Sequence, residues 1–289
     1  MTEGFAPVQN GSLYYEVVGE GPAVILSHAG IADCQMWDPQ MAPFAERYRV
    51  VRYDVRGFGR SSQPESDYAP HDDLKALLTH LGVERAAIVG VSMSGGIAVD
   101  FAVAYPEMVW ALVPVAAGLY GFDWSKDEAD ERFGKEERAA LEVGDIDGAT
   151  EFNVRIWVDG PGRTPDQVDP AIREKVRLMQ REIFERGEAP GEALPLEPLA
   201  IERLEDIRTP TLAIVGDQDL SSMKEVTDLI VRRVPAPARQ SSRMLHTCRA
   251  WSGRRSSTGS SWSSSNRSAN AARRARSRSC AQPAIARRQ

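Results

Sequence analysis

The chain has 289 residues, of which 42% are hydrophobic and 26% are charged, and its formal net charge is −6. That is enough apolar material for one large domain, or for a domain with an inserted subdomain. The longest apolar stretch, residues 109–119, contains Pro114 and is too short to cross a bilayer. We find no pattern of a secretory signal, and the three cysteines suggest neither a disulfide framework nor a metal site. We therefore expect a cytoplasmic protein.

The composition changes abruptly near residue 240. Residues 241–289 contain eleven Arg and thirteen Ser but no Lys, Asp or Glu, so they carry a charge of +11. The first 240 residues contain 24 basic and 41 acidic residues, a balance of −17. This negative charge argues against nucleic acid and anionic membranes as partners of the first part.

Short apolar runs alternate with helical patterns along the first 119 residues. Runs of this kind are typical of strands buried on both faces, and the alternation predicts a parallel sheet covered by helices on both sides. The predicted strands are residues 12–18, 23–27, 49–53, 86–89 and 109–113, and the predicted helices lie near residues 37–48, 74–81 and 95–105.

The pattern changes after Leu119 and returns near residue 209. Residues 120–208 are helical in pattern and strongly charged, and the run Thr211–Val215 then restores the signature of a buried strand. We predict a core made of residues 1–118 and 209–240, with residues 119–208 inserted as a helical lid. The lid aromatics that are candidates to line an apolar pocket, or simply to dock the lid on the core, are Trp124, Phe133, Phe152, Trp157 and Phe184.

The segment Ile88–Gly96 carries the clearest chemical signal. A buried strand runs into Ser92, and small residues open a helix directly after it. Such a tight turn, a nucleophile elbow, lifts a serine hydroxyl above the sheet at a helix N-terminus. The usual pattern G-x-S-x-G is here G-x-S-x-S, which leaves Ser94 as a rival nucleophile. Ser92 is preferred because it stands at the end of the strand.

A second signal follows the strand at residues 23–27, in His28-Ala29-Gly30. An acyl-transfer site needs hydrogen-bond donors aimed at the developing oxyanion. Here they are the backbone N–H groups of Gly30 and Met93. We expect His28 to shape this loop and not to act as the base. His71 and His80 are expected to be solvated on a surface helix.

Together these motifs resemble those of α/β-hydrolases. The resemblance rests on the loop at His28–Gly30, the stretch Tyr53–Ser61, the elbow at Ser92 and the segment Gly216–Asp219, and it spans about residues 10–118 and 205–240. Ala29 departs from the usual His-Gly pattern. The stretch around Arg52–Gly57 is more weakly similar to enol-lactonases and small carboxylesterases.

The resemblance implies a catalytic triad in the order nucleophile, acid, histidine. It assigns the acid to Asp219, just past a strand, with Asp217 as the alternative. The acid orients an imidazole and stabilises its cation. His246 lies 27 residues after Asp219, a suitable separation, but residues 240–249 have no pattern of a strand, a helix or a core.

A shift of the reading frame by one base explains this mismatch. Back-translation of residues 241–266 with GC-rich codons, read in the shifted frame, gives VVEDAAHLPSMERPEEFDRVVLEFLE. That peptide has a strand, an Ala-His loop and an acidic helix, as the family requires, and it places a histidine at the position of Thr247. We therefore predict that residues 241–289 are a frameshifted, disordered tail. The alternative is a genuine Arg/Ser-rich tail, for which we expect disorder after about Gln240 and one open edge of the sheet.

These features predict a serine hydrolase of carboxylic esters or lactones that forms an acyl-enzyme on Ser92. The substrate is a small molecule, and the reaction implies no metal and no cofactor. Serine hydrolysis of thioesters, C–C bonds or peptides remains open, because a fold does not determine a substrate. The alternative from another class is a catalytically impaired protein of the same fold that binds a small ligand.

Overall fold

The buried apolar runs form the centre of an eight-stranded sheet with the order β1-β2-β4-β3-β5-β6-β7-β8. The computed structural model describes residues 1–124, 128–235 and 237–242. Strand β2 is antiparallel to β1 and to β4, and the other neighbours are parallel. The strands are β1 Thr2–Val8, β2 Gly11–Val18, β3 Ala23–Ser27, β4 Arg49–Tyr53, β5 Ala86–Val91, β6 Val109–Val115, β7 Thr211–Gly216 and β8 Pro237–Ser242.

Helices cover both faces of this sheet, as the sequence predicts. Alternate residues of β3 pack into different apolar clusters, Ile25 on one face and Val24 and Leu26 on the other. This is the pattern of a strand buried on both sides. The helices are α1 Asp38–Ala45, α2 Pro70–His80, α3 Met93–Ala104, α4 Glu128–Glu142, α5 Ile146–Val154, α6 Pro170–Arg186 and α7 Ser221–Arg233.

Helices α4 to α6 lie between β6 and β7 in the chain, so they interrupt the alternation of strand and helix. The segment after α6 returns to the core, where the Leu194 N–H donates to the Tyr68 carbonyl at 2.8 Å and where Ala200 and Leu204 are buried. Among the described residues, no helix has the length and apolar character needed to cross a membrane.

The sheet has one strand more at each end than the sequence patterns predict. The sequence does not predict strand β1, because an edge strand lacks the continuous apolar run of a buried strand. In β1 Phe5 is half-exposed beside the buried Ala6. Strand β8 corrects the expectation of an open edge, because it pairs in parallel with β7 from Thr211–Pro237 to Gly216–Ser242. Backbone pairing needs no particular side chains, and the single proline of β8, Pro237, stands at the first position, where a strand tolerates it.

The histidines of α2 differ from each other. His80 is exposed, as expected, but His71 is buried, which corrects the expectation that both are solvated. The His71 ring lies in the first turn of the helix, 6.4 Å from the ring of Tyr105. Burial lowers the pKa of His71 below its ordinary value.

Candidate active site

Ser92 stands between β5 and α3 with φ +53° and ψ −115°, a backbone conformation that residues other than glycine rarely adopt. The turn is fixed by backbone contacts, because the Ser92 carbonyl accepts hydrogen bonds from the N–H groups of Gly95 and Gly118, both at 2.8 Å. A Cβ atom on Gly90 would lie 2.0 Å from the Ser94 carbonyl oxygen. Only glycine therefore allows the strand and the helix to approach this closely.

The structure separates the two candidate nucleophiles. Ser92 lines two cavities. Ser94 is fully buried, and its hydroxyl oxygen has no hydrogen-bond partner among the described residues. Ser92 is therefore the serine that a substrate in these cavities can reach.

The two predicted oxyanion donors belong to adjacent pieces of backbone. A Cβ atom on Gly30 would lie 3.5 Å from the Met93 Cβ atom, which places the loop after β3 against the start of α3. Met93 is the first residue of α3, so no carbonyl of the helix is available to its N–H. The partial positive charge of a helix N-terminus favours an anion at this point.

His28 is held inside the loop after β3 by both ring nitrogens. Its Nε2 accepts a hydrogen bond from the Val55 N–H at 2.9 Å, and its Nδ1 donates to the Ala29 carbonyl at 2.8 Å. The side chain is fully buried, and this burial lowers the pKa of His28, which favours the neutral ring. These contacts suit a residue that fixes the loop carrying Gly30.

Two carboxylates follow β7 in the loop before α7. Asp219 is buried, and its Oδ1 accepts a hydrogen bond from the Leu220 N–H at 3.1 Å. Asp217 has one buried oxygen, Oδ1, without a hydrogen-bond partner among the described residues. Because Ser242 of β8 pairs with Gly216, the chain leaves β8 beside this loop. His246 and Thr247 lie outside the described residues.

Two cavities meet at Ser92. The smaller has a volume of about 210 Å³ and is lined by Ala29, Gly30, Ile31, Ser92 and Trp157. The larger has a volume of about 500 Å³, and most of its lining is apolar or aromatic. The larger cavity is lined by Val55, Tyr68, Pro70, Ser92, Met93, Ile97, Gly118, Leu119, Tyr120, Gly121, Phe122, Trp124, Trp157, Ala193 and Met223.

A family model described as alpha/beta hydrolase fold matches residues 22–240, about three quarters of the chain. The chain belongs to the α/β-hydrolase fold family. The matched residues include the elbow, the loop at His28–Gly30 and the carboxylates after β7, and the match confirms the fold that the motifs indicate.

The individual similarities point to related hydrolases. The 3-oxoadipate enol-lactonase 2 of Acinetobacter baylyi is 36% identical over 104 residues, which are 34% of this chain and 39% of that protein. The crystal structure of the enol-lactonase from Burkholderia xenovorans LB400 has a TM-score of 0.68 at 21% identity and covers 84% of this chain and 93% of that chain.

A thermophilic esterase from Thermogutta terrifontis has a TM-score of 0.68 at 23% identity, with coverage of 84% of this chain and 90% of that chain. Uncharacterized mycobacterial proteins are 39% identical over 108 residues, 36% of this chain, and the chain spans only 31% of their length.

Sequence reasoning found two of the aromatic residues in the larger cavity, Trp124 and Trp157, and missed the others. Tyr68 and Ala193, which both line this cavity, are joined by an isolated parallel β-bridge. No sequence pattern predicts this bridge. Phe152 and Phe184 do not line the larger cavity, and the side chain of Phe133 lies outside the described part of the chain.

A buried polar cluster consists of Asp33, Cys34 and Asp54, whose ligand atoms lie within 4.8 Å of one another. The Asp54 carboxylate accepts the N–H groups of Cys34 at 2.7 Å and Arg60 at 2.8 Å. Burial raises the pKa of Asp33 to about 6 and also raises the pKa of the Cys34 thiol. These groups tie the loops together, and a protonated thiol is a poor metal ligand.

Proposed function

We propose that the protein hydrolyses small carboxylic esters or lactones through an acyl-enzyme on Ser92. The observation that carries this proposal is the elbow, which holds Ser92 in a left-handed conformation at the junction of two cavities. The enol-lactonase and esterase relatives support an ester or lactone as the substrate.

In the proposed reaction the Ser92 oxygen attacks the ester carbonyl, and a histidine takes the proton from the hydroxyl. The backbone N–H groups of Gly30 and Met93 donate hydrogen bonds to the oxyanion of the tetrahedral intermediate. The same histidine then protonates the leaving alcohol, and water hydrolyses the acyl-enzyme. Asp219 holds the imidazole in the correct tautomer.

The histidine of the triad is proposed to follow β8. Residues 246 and 247 are four and five positions beyond Ser242, and a chain extends by at most about 3.6 Å per residue, so either position is within reach of the loop that carries Asp219. His246 is the candidate in the sequence as it stands, and the shifted frame replaces Thr247 by histidine. A gene with the frame restored tests this choice: its product should show higher esterase activity if position 247 is correct. If His246 is the base, His246→Ala should abolish the activity of the original chain.

The apolar lining of the larger cavity favours an uncharged, hydrophobic group on one side of the scissile bond. Helices α4 to α6 are proposed to act, with the rest of residues 119–208, as the lid that limits the size of this group. Trp124 and Trp157 are the lid aromatics that support this role, because both line the cavity.

A fluorophosphonate probe tests the proposal, because it modifies only an activated serine. We expect mass spectrometry to find the label on Ser92 in the wild-type chain and no label in Ser92→Ala. Ser94→Ala is the matched control and should label as the wild type does, because the Ser94 hydroxyl is buried, with no partner among the residues that the structure describes. A folded wild-type chain without label would overturn the proposal and would favour a ligand-binding protein of this fold.

A further inference from the structure

One aromatic side chain lies on the boundary between the two cavities that meet at Ser92. Among the residues that the structure describes, two line both cavities, Ser92 and Trp157. We propose that Trp157 is a specificity-determining partition: it keeps a bulky apolar half of the substrate in the larger cavity and limits the half in the smaller one. This inference rests on the proposed function, since it takes Ser92 as the attacking group.

Trp157 lies in a widened turn that continues α5, residues Arg155–Asp159, here called the Trp157 turn. The Gly160 N–H donates to the Arg155 carbonyl at 3.0 Å, which is the spacing of a π-helix. Single π turns inside α-helices occur frequently at functional sites. The extra residue in the turn changes the direction of the side chains that it carries.

The Trp157 turn is fixed by charge. Asp159 is fully buried, and its carboxylate accepts hydrogen bonds from Arg173 Nε at 3.0 Å and Arg173 Nη2 at 3.1 Å. Arg163 donates to the main chain of the turn, from Nε to the Asp159 carbonyl at 2.6 Å and from Nη2 to the Val158 carbonyl at 3.0 Å. The backbone on the C-terminal side of Trp157 is therefore tied at several points.

Apolar packing fixes the same turn from both sides. Ile156 is buried in a cluster with Met223 and Val215, at the end of β7, and Val158 is buried in the cluster that contains Val24 and Leu26 of β3. The Trp157 side chain is half-buried and packs against both clusters. An indole held in this way can act as a wall.

A wall at this point matters because an ester carbonyl carries two substituents, the acyl group and the alkoxy group. When Ser92 attacks the carbonyl carbon, the substituents extend in different directions from the nucleophile. The two cavities share Ser92 and Trp157 in their linings, and they differ more than twofold in volume, about 500 Å³ against about 210 Å³. The substrate class that fits is a neutral ester with one bulky apolar half and one small half.

Binding of non-hydrolysed amides tests the partition without requiring catalysis. Three amides are titrated by calorimetry: N-methyl-naphthylacetamide, N-(naphthylmethyl)acetamide, and the amide with a naphthyl group on both sides. The variants are Trp157→Ala, Trp157→Phe and Trp124→Ala. Trp124 is the matched control, because it lines the larger cavity and not the smaller one.

We expect the wild type to bind the two-sided amide at least about tenfold more weakly than the better one-sided amide, a typical effect of pocket size. Trp157→Ala should reduce this ratio of affinities by about tenfold, because the two-sided amide then binds more tightly. Trp157→Phe, which keeps a ring, and Trp124→Ala should retain the wild-type ratio.

The inference is overturned if Trp157→Ala leaves the ratio unchanged, if Trp124→Ala changes it equally, or if the wild type binds none of the amides. The fluorophosphonate label separates this failure from failure of the proposed function. A labelled Ser92 with an unchanged ratio refutes only the partition. An unlabelled Ser92 with the expected ratio refutes only the hydrolase, and leaves Trp157 as the divider of a binding site.

Discussion

The elbow and the Trp157 turn both place one side chain on the same pair of cavities, but they do so by opposite means. At the elbow, glycines allow backbone to touch backbone: a Cβ atom would lie 2.0 Å from an oxygen of the neighbouring main chain at Gly90 and 2.1 Å at Gly96. At the Trp157 turn, long charged side chains bind a buried carboxylate, with Arg173 on Asp159. One site depends on the absence of side chains and the other on their presence.

With the two proposed roles, this difference predicts that reactivity and selectivity can be altered separately. The elbow is joined to the sheet, because the Ser92 N–H donates to the carbonyl of Val115 in β6 at 2.9 Å. The Trp157 turn belongs to the inserted helices, so changes there leave the strand pairing intact. The following variants test whether the two regions respond as differently as their contacts suggest.

The largest effect is expected at the carboxylate that is proposed to act with Ser92. Asp219→Asn should lower kcat for a simple ester by about 10⁴-fold, because an amide favours the wrong histidine tautomer. Asp217→Asn is the matched control and should change kcat by less than about tenfold if Asp219 is the acid. Steady-state kinetics of both variants decide between the two carboxylates, and the reverse ranking would assign the role to Asp217.

The next effect concerns the buried charge under the Trp157 turn. Asp159→Asn removes the buried counter-charge of Arg173, while the half-exposed Glu151 still pairs with it, and it should lower the free energy of unfolding by about 3 kcal/mol. Glu174→Gln removes an exposed partner of Arg177 and should leave the free energy of unfolding nearly unchanged. Urea unfolding measures both. Equal effects would mean that Asp159 does not fix the turn.

A glycine substitution tests the elbow itself. Gly90→Ala should lower the free energy of unfolding by about 1 to 3 kcal/mol, because the added methyl group forces strand and helix apart. It should also reduce kcat by about 100-fold, through displacement of Ser92. Gly162→Ala is the control, since a Cβ atom there meets nothing within 4 Å. Wild-type kinetics in Gly90→Ala would contradict the backbone account of the elbow.

The last effect concerns stability alone and comes from a second buried carboxyl, Asp100 on α3, which accepts a hydrogen bond from the Leu196 N–H. Burial raises the pKa of Asp100 to about 6, so the folded chain keeps a proton that the unfolded chain releases near pH 4. This contribution to stability is therefore present at low pH and falls as the pH rises from about 4 to about 6.

The variant Asp100→Asn does not titrate and should exceed the wild type in free energy of unfolding by about 2 to 3 kcal/mol at pH 8, with the advantage shrinking towards pH 4. Denaturant unfolding at several pH values measures the difference. The exposed Asp166→Asn serves as the control, and its difference from the wild type should not vary with pH in this way. A constant advantage for Asp100→Asn would show that the charge of Asp100 is not the cause.

The sequence predicts the fold well where the signal is local. Strands β3 and β4 begin and end where their apolar runs do, and the elbow follows from Gly90 and Ser92 at the end of such a run. Strand β8 could not be found in this way, because its pairing with β7 depends on backbone hydrogen bonds. The role proposed for Trp157, a partition between two cavities, could not be predicted from the sequence either. It depends on a π turn and on contacts with apolar clusters whose residues lie far from Trp157 in the sequence.

The burial of His71 shows the same limit. Its position in the first turn of a charged helix suggests a solvated side chain, whereas in the fold the ring of Tyr105 lies beside the imidazole. Contacts between elements leave no periodic trace in the sequence, so residues that act through them have to be read from the structure.

The proposed oxyanion donors have a consequence for mutagenesis of this protein. In the proposal Gly30 and Met93 contribute through their backbone N–H groups, and Met93→Ala would keep that group in place. An alanine scan would therefore lower the activity at the proposed nucleophile and acid, but it would not detect the proposed oxyanion donors. Replacing single amides by esters, through chemical synthesis of the segment, would remove one N–H at a time and reveal what side-chain replacement conceals.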